Sequence, residues 1–117
     1  MYDVAYKNYP LIIKALQIFS SDIASFETMV INYSNNRNVS WNQQQFDAFV
    51  SLAFNAGTDV ADVMDYIING DDPYTAFTKI SSSNGEFSKG VWRRRMDEAD
   101  IFVHGTYIRE ERNLPLG

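Results

Sequence analysis

The sequence predicts an all-α domain of about five to six helices. Three observations carry that expectation. Apolar residues recur at three- and four-residue spacing in successive segments, the mark of helices with one buried face. No stretch keeps a period-two alternation of the kind a half-buried strand shows. Glycines, Ser/Asp/Asn clusters and prolines fall between the periodic segments, where caps and turns belong. With 117 residues, the chain (1–117) is the size of a single domain. A compact fold of that size buries roughly 65% of its unfolded surface, enough for a core without staples.

Pro10 suits a first helical turn, because its missing N–H costs nothing there. A helix over Leu11 to Phe19 follows, with Ile12, Ala15, Leu16 and Phe19 on one face. Ser20-Ser21-Asp22 offers caps for a second helix, with Asp22 favourable at the positive dipole end. Its stripe is Ile23, Phe26, Val30 and Tyr33. Asn35-Asn36-Arg37-Asn38 reads as a polar loop. Ser40 with Gln43 has the spacing of a capping box. The helix after it carries Phe46, Phe49, Val50, Ala53 and Phe54 on a wide core face, and Gly57 supplies its C-terminal stop.

Asp59 is placed to cap the next helix, with Ala61, Met64, Ile67 and Ile68 inward and Gly70 at its end. Asp71-Asp72-Pro73 restarts a short helix over Tyr74 to Ile80. Ser81-Ser82-Ser83-Asn84-Gly85 reads as a loop. The last helix spans Val91 to Val103, stopped by Gly105, and 106–117 form a polar tail. No internal repeat is visible.

Composition excludes several classes. There is no cysteine, hence no disulfide, thiolate metal site or cysteine nucleophile. A net charge of −5 argues against nucleic acid as a partner. It also repels polyanionic wall polymers at long range, except at a basic patch formed by Lys89, Arg93, Arg94 and Arg95. No apolar window is long enough to span a membrane, and the first ten residues lack the pattern of a signal peptide. The one histidine, His104, sits near the end of the last helix, where a cation complements the dipole. No metal-ligand spacing, phosphate loop or Ser-His-Asp order appears, so no metal or other cofactor is expected. The 8 Phe, 7 Tyr and 2 Trp suit a Phe-rich core, with Tyr and Trp also able to stack on sugars.

Two segments belong together. Gln45-Phe46-Asp47-Ala48 with Leu52-Ala53-Phe54-Asn55-Ala56-Gly57-Thr58 is one. Gly90, Arg94, Arg95, Glu98 and Phe102 form the other. With Asp22-Ile-Ala-Ser-Phe-Glu27 and Asn69-Gly70, this ordered set resembles the C-terminal helical lobe of phage-type lysozymes, the muramidase family that includes endolysins. The resemblance runs from about Ser21 to Phe102. Two departures bear on one groove wall: the stretch after Gly57 is shorter than usual, and Ile80-Ser-Ser-Ser-Asn84 replaces a segment that usually carries a Trp.

The resemblance implies hydrolysis of the β-1,4 bond between N-acetylmuramic acid and N-acetylglucosamine in peptidoglycan by a complete protein of this kind. It also implies that the catalytic Glu, Asp and Thr stand in a small N-terminal lobe. From Met1 to Ser40 the one glutamate is Glu27; it falls in the helix after that lobe, and no Gly-rich hairpin with Tyr, Thr and Gly-His follows it. No catalytic residue is therefore assigned, and the chain by itself is expected to be inactive. Phe54 and Asn55 fall at glycan-contacting positions, although a core role is favoured for Phe54 and a helix-end role is equally open to Asn55. Arg94, Arg95 and Glu98 are cleft-supporting, one arginine facing the catalytic Glu. Arg94 and Glu98 are also spaced i, i+4 as a plain surface pair, worth about 0.3–0.5 kcal/mol. Glu27, Asp47, Glu86 and Glu98 have polar flanks and are expected to be solvated, not paired for catalysis. The partners implied are a peptidoglycan glycan strand and an N-terminal catalytic lobe. Self-association is a further option, through apolar surface left uncovered near the first helix or Trp92. The alternative is a non-catalytic lysozyme-like module that binds wall glycan or a protein.

Overall fold

The computed structural model describes residues 20–83 and 85–106. The helix expected over Leu11 to Phe19 and most of the polar tail lie outside them. Five helices and one small hairpin follow in order: α1 (Ser20–Asn36), α2 (Gln43–Ala56), α3 (Asp59–Ile68), α4 (Pro73–Thr78), β1 (Ser82–Ser83), β2 (Glu86–Phe87) and α5 (Lys89–His104). The all-α expectation holds.

α2 is the centre. Every residue from Phe46 to Ala53 is buried, so this helix is covered on all sides rather than on one stripe. It packs against α1, α3 and α5, and α4 closes against α5. The core is an aromatic knot. Phe49 of α2 lies 4.7 Å from Trp41 and 5.3 Å from Phe102 in edge geometry, and 5.8 Å from Phe77 in a near-parallel stack. Three helices and the loop before α2 thus meet on one ring.

Several boundaries move by one or two residues. The capping box before α2 belongs to Asn42 and Gln45, not Ser40 and Gln43. Asn42 Oδ1 accepts from the Gln45 N–H at 2.8 Å, and Gln45 Oε1 accepts from the Asn42 N–H at 3.0 Å. Asn42 is as good a cap as serine, and starting there puts Phe46 and Phe49 inward. Asp59 is the first residue of α3 rather than its cap; Thr58 precedes it without a side-chain cap bond. Asp59 and Asp62 still favour that helix through the dipole. The inward stripe of α3 is Val60, Val63 and Met64, with Ile67 half-buried. Ile68, expected inward, is 44% exposed, because the last position of this register turns away from the core. At its start α4 matches the expectation: Asp72 Oδ2 accepts from the Thr75 N–H at 3.2 Å, with Pro73 in the first turn.

The segment read as a loop after Ile80 folds into a short antiparallel hairpin, Ser82 opposite Phe87 and Ser83 opposite Glu86. Gly85 takes φ +84° at its turn, a conformation other residues adopt at a cost.

The C-terminus of α5 is held by a side chain from α2. Gln44 Nε2 donates to the carbonyls of Phe102 and Val103 at 3.1 and 3.3 Å. Gly105 terminates the helix in the left-handed region, φ 69° and ψ 25°. A Cβ there would meet Gln44 Oε1 at 2.8 Å. Gly105→Ala is therefore expected to lose about 1–2 kcal/mol through backbone strain plus displacement of Gln44. Gly90→Ala, whose Cβ meets nothing closer than 4.0 Å, is the control and should be neutral or slightly stabilising. Urea unfolding midpoints of the two variants check this; equal midpoints would contradict it.

Candidate functional site

A line of polar residues runs along α2. Gln43, Asp47, Ser51 and Asn55 recur every fourth residue, so they stack on one face. Gln43 Nε2 donates to Asp47 Oδ1 at 2.8 Å. The last two members meet α5.

There the structure joins Asn55, Arg94, Arg95 and Glu98, with Ser51 as a fifth member. Arg95 Nε donates to Glu98 Oε1 at 2.5 Å, and Arg95 Nη2 donates to Oε2 at 3.1 Å. This is a bidentate, charge-assisted pair. Ser51 Oγ donates to Glu98 Oε2 at 2.5 Å. Asn55 Nδ2 donates to the Ser51 carbonyl at 3.0 Å and to Glu98 Oε2 at 3.4 Å. Arg94 Nη1 donates to Asn55 Oδ1 at 2.7 Å. The network thus runs from a fully buried ion pair outward to half-buried Asn55 and Arg94.

Glu98 is 1% exposed and Arg95 2%, which overturns the expectation that Glu98 is solvated. Flanking polarity misleads here, because α5 is mostly polar by composition yet turns Arg95, Glu98, Ala99 and Phe102 inward. Burial pushes the Glu98 carboxyl above its ordinary value, while Arg95, Ser51 and Arg94 pull it back down. The direct partner of Glu98 is Arg95 at i, i+3, not Arg94 at i, i+4. Arg94 stands at the edge of that face, donates to Asn55, and acts on Glu98 through its charge. Burial of Arg95 also shrinks the basic patch to exposed Lys89 and Arg93 with half-buried Arg94.

Phe54 is not part of the network. It is half-buried against α1, edge-on to Phe26 at 5.1 Å. Of the other carboxylates expected to be solvated, Asp47 and Glu27 are buried too, each on a helix face turned to its neighbours, and Glu86 alone of the four is exposed. His104 is exposed in the last turn of α5. Among the described residues no group of three or more His, Cys, Asp or Glu is placed to hold a metal. No helix among them is long and apolar enough to cross a membrane. The large exposed apolar side chains Ile31, Ile68, Phe87 and Val103 sit on four different elements, and Trp92 is half-buried.

Ser51 is the member that residue-by-residue reading passes over. Its signal is positional: a hydroxyl within a run of eight buried positions, four residues before Asn55 and four after Asp47. A polar group there needs a buried partner.

These features define a helical lobe whose last helix carries a buried Arg–Glu pair, bonded by Ser51 of the central helix, beneath an Asn–Arg edge. The phage lysozyme family model matches residues 5–98, and the chain belongs to that family. Its function is accordingly lysozyme-like and related to peptidoglycan. Among curated proteins and among solved structures nothing matches significantly.

Proposed function

We propose that this chain forms the glycan-holding helical lobe of a phage-type lysozyme, a protein that as a whole cuts the β-1,4 bond between N-acetylmuramic acid and N-acetylglucosamine. The observation that carries the reading is Arg94, tied by Asn55 at 2.7 Å to a network rooted in a buried ion pair. A guanidinium held in this way suits a carboxylate, either the lactyl group of muramic acid or the general acid of a catalytic lobe. Asn55 adds an amide able to hydrogen-bond N-acetyl or hydroxyl groups. Phe54 supports the groove wall from behind, through Phe26, rather than stacking on sugar.

Hydrolysis by this chain itself is not part of the proposal. The carboxylate in the network, Glu98, is inaccessible and engaged by Arg95 and Ser51. It cannot approach a glycosidic oxygen as a general acid must.

Titration with soluble peptidoglycan fragments, followed by chemical-shift mapping, tests the reading. Shifts should centre on Asn55 and Arg94. Arg94→Ala should weaken binding by about 1.5–3 kcal/mol, a roughly tenfold to hundredfold rise in Kd. Purified chain should not clear a cell-wall suspension. Clearing that survives Arg94→Ala, or shifts confined to surfaces away from α2 and α5, would overturn it.

A further inference from the structure

We propose that Lys89 and Arg93, at the start of α5, form a contact site for an anionic phosphodiester polymer of the cell envelope. The site shares a helix with the glycan-holding edge but does not depend on it.

Most cations among the described residues are engaged within the fold. Arg37 is bonded to Asp65, Lys79 to Asp71, Arg95 to Glu98 and Arg94 to Asn55. Lys89 and Arg93 remain. Both are exposed. Neither side chain forms a hydrogen bond or ion pair with a described residue, Glu86 and Asp97 included.

Their placement works against stability. Lys89 is the first residue of α5, where the positive end of the helix dipole disfavours a cation. Arg93 stands one turn further on, and like charges at i, i+4 repel. No acid occupies the first turn of α5. Elsewhere the chain follows the dipole: α3 opens with Asp59 and Asp62, and Asp72 caps α4. The sequence holds 15 acidic against 10 basic residues. Two unpaired cations at this point break a local rule without an internal gain, and such breaks mark functional surface.

The charges indicate the partner. A single fixed carboxylate is best met by one guanidinium fork, as Arg95 meets Glu98. Two separate exposed cations, about 6 Å apart along the helix axis, instead match repeated charges on one flexible chain. A lipid surface would also need apolar insertion. Between Lys89 and Arg93 no apolar side chain is exposed: Val91 and Trp92 are half-buried, and Phe87 on β2 is a single exposed ring. The net charge of −5 repels polyanions, but in physiological salt that repulsion fades beyond roughly 8 Å, so contact at this face decides.

Retention of the whole chain on immobilised polyglycerol phosphate tests the proposal. Binding should weaken about sevenfold between roughly 50 and 200 mM salt, the slope of two contacts on a flexible polyanion. Lys89→Glu should abolish retention and at the same time raise the urea unfolding midpoint, because it removes the repulsion, suits the dipole and precedes Arg93 in the favourable order. Lys89→Gln/Arg93→Gln should lose retention with an unchanged or higher midpoint. Unchanged retention in either variant, or a lower midpoint in Lys89→Glu, would overturn the proposal. Binding to vesicles of equimolar phosphatidylcholine and phosphatidylglycerol that is lost in Phe87→Ser, with no retention on the polymer, would overturn it in favour of a membrane surface. Fragment titration at Asn55 and Arg94 keeps the two readings apart. Its failure with polymer retention intact removes only the glycan-holding reading, and the reverse result removes only this one.

Discussion

Arg95→Met should lower the stability of the chain by about 3–5 kcal/mol, on the order of 15 °C in melting temperature for a domain of this size. The reason is not the strength of the ion pair but what its loss leaves behind. Glu98 is fully enclosed, and without Arg95 its charge has no bidentate partner. Glu98→Leu alone should be as costly, since it leaves the Arg95 guanidinium buried without its carboxylate. The double variant Arg95→Met/Glu98→Leu should recover most of the loss, because removing both charges removes both desolvation penalties. Ser51 then has an alternative, the Asp47 carbonyl four residues back, as Ser34 Oγ already donates to Val30 O at 2.7 Å.

The pH dependence separates this account from a simple packing defect. Burial raises the folded-state pKa of Glu98 above its unfolded value. The stability linked to this group is therefore fully present below the unfolded carboxylate pKa, about 4.3, and is lost as pH rises through the folded value. Removing the Arg95 cation raises the folded value further. The deficit of Arg95→Met relative to wild type should be small near pH 4 and grow toward neutrality. Urea unfolding at several pH values measures it. A deficit that is flat across that range, or a double variant no better than the singles, would show that the loss does not come from an uncompensated buried charge.

How much of this was legible in the residues differs between elements. The periods of α1, α2 and α5 and the glycine stops at 57, 70 and 105 are strong local signals, and they place the helices to within a turn. α3 is harder, because Val60, Val63, Met64, Ile67 and Ile68 are all apolar and two registers fit them; the packing against α2 chooses the one that exposes Ile68. In the sequence, Asn84-Gly85 is a turn signal. The hairpin's strands of two residues each are too short to alternate. In the site, Asn55, Arg94, Arg95 and Glu98 could be named from family resemblance, but not their pairing. At i, i+3 and i, i+4 both arginines reach Glu98 on paper. Which one faces inward depends on how α5 is rotated against α2, and that rotation is set by Ala99 and Phe102 entering the core. Ser51 emerges only when α2 is seen to be buried on every side, since a serine on a solvated face would need no partner.

That rotation has its own anchor, which makes Phe49→Ala the other large expected effect. Truncating a core phenylalanine costs about 3–5 kcal/mol, set by how far the surroundings can collapse. Collapse is difficult here, because Trp41, Phe77 and Phe102 approach Phe49 from the loop before α2, from α4 and from α5. One ring cannot move into the gap without leaving another contact. Phe54→Ala is the internal comparison: Phe54 is half-buried with Phe26 as its ring partner, and roughly 1–2 kcal/mol is expected from the apolar area involved. Because Phe102 lies one turn beyond Glu98 on α5, loosening the knot should also let α5 rotate. The Arg94 and Asn55 side-chain resonances should then broaden in Phe49→Ala and stay sharp in Phe54→Ala. Calorimetry and NMR on the two variants measure both effects. Equal destabilisation by the two truncations would mean that the aromatic knot is not the element that sets the register of α5 against α2. Sharp Arg94 and Asn55 signals in a destabilised Phe49→Ala would mean that the polar network holds its register without the core.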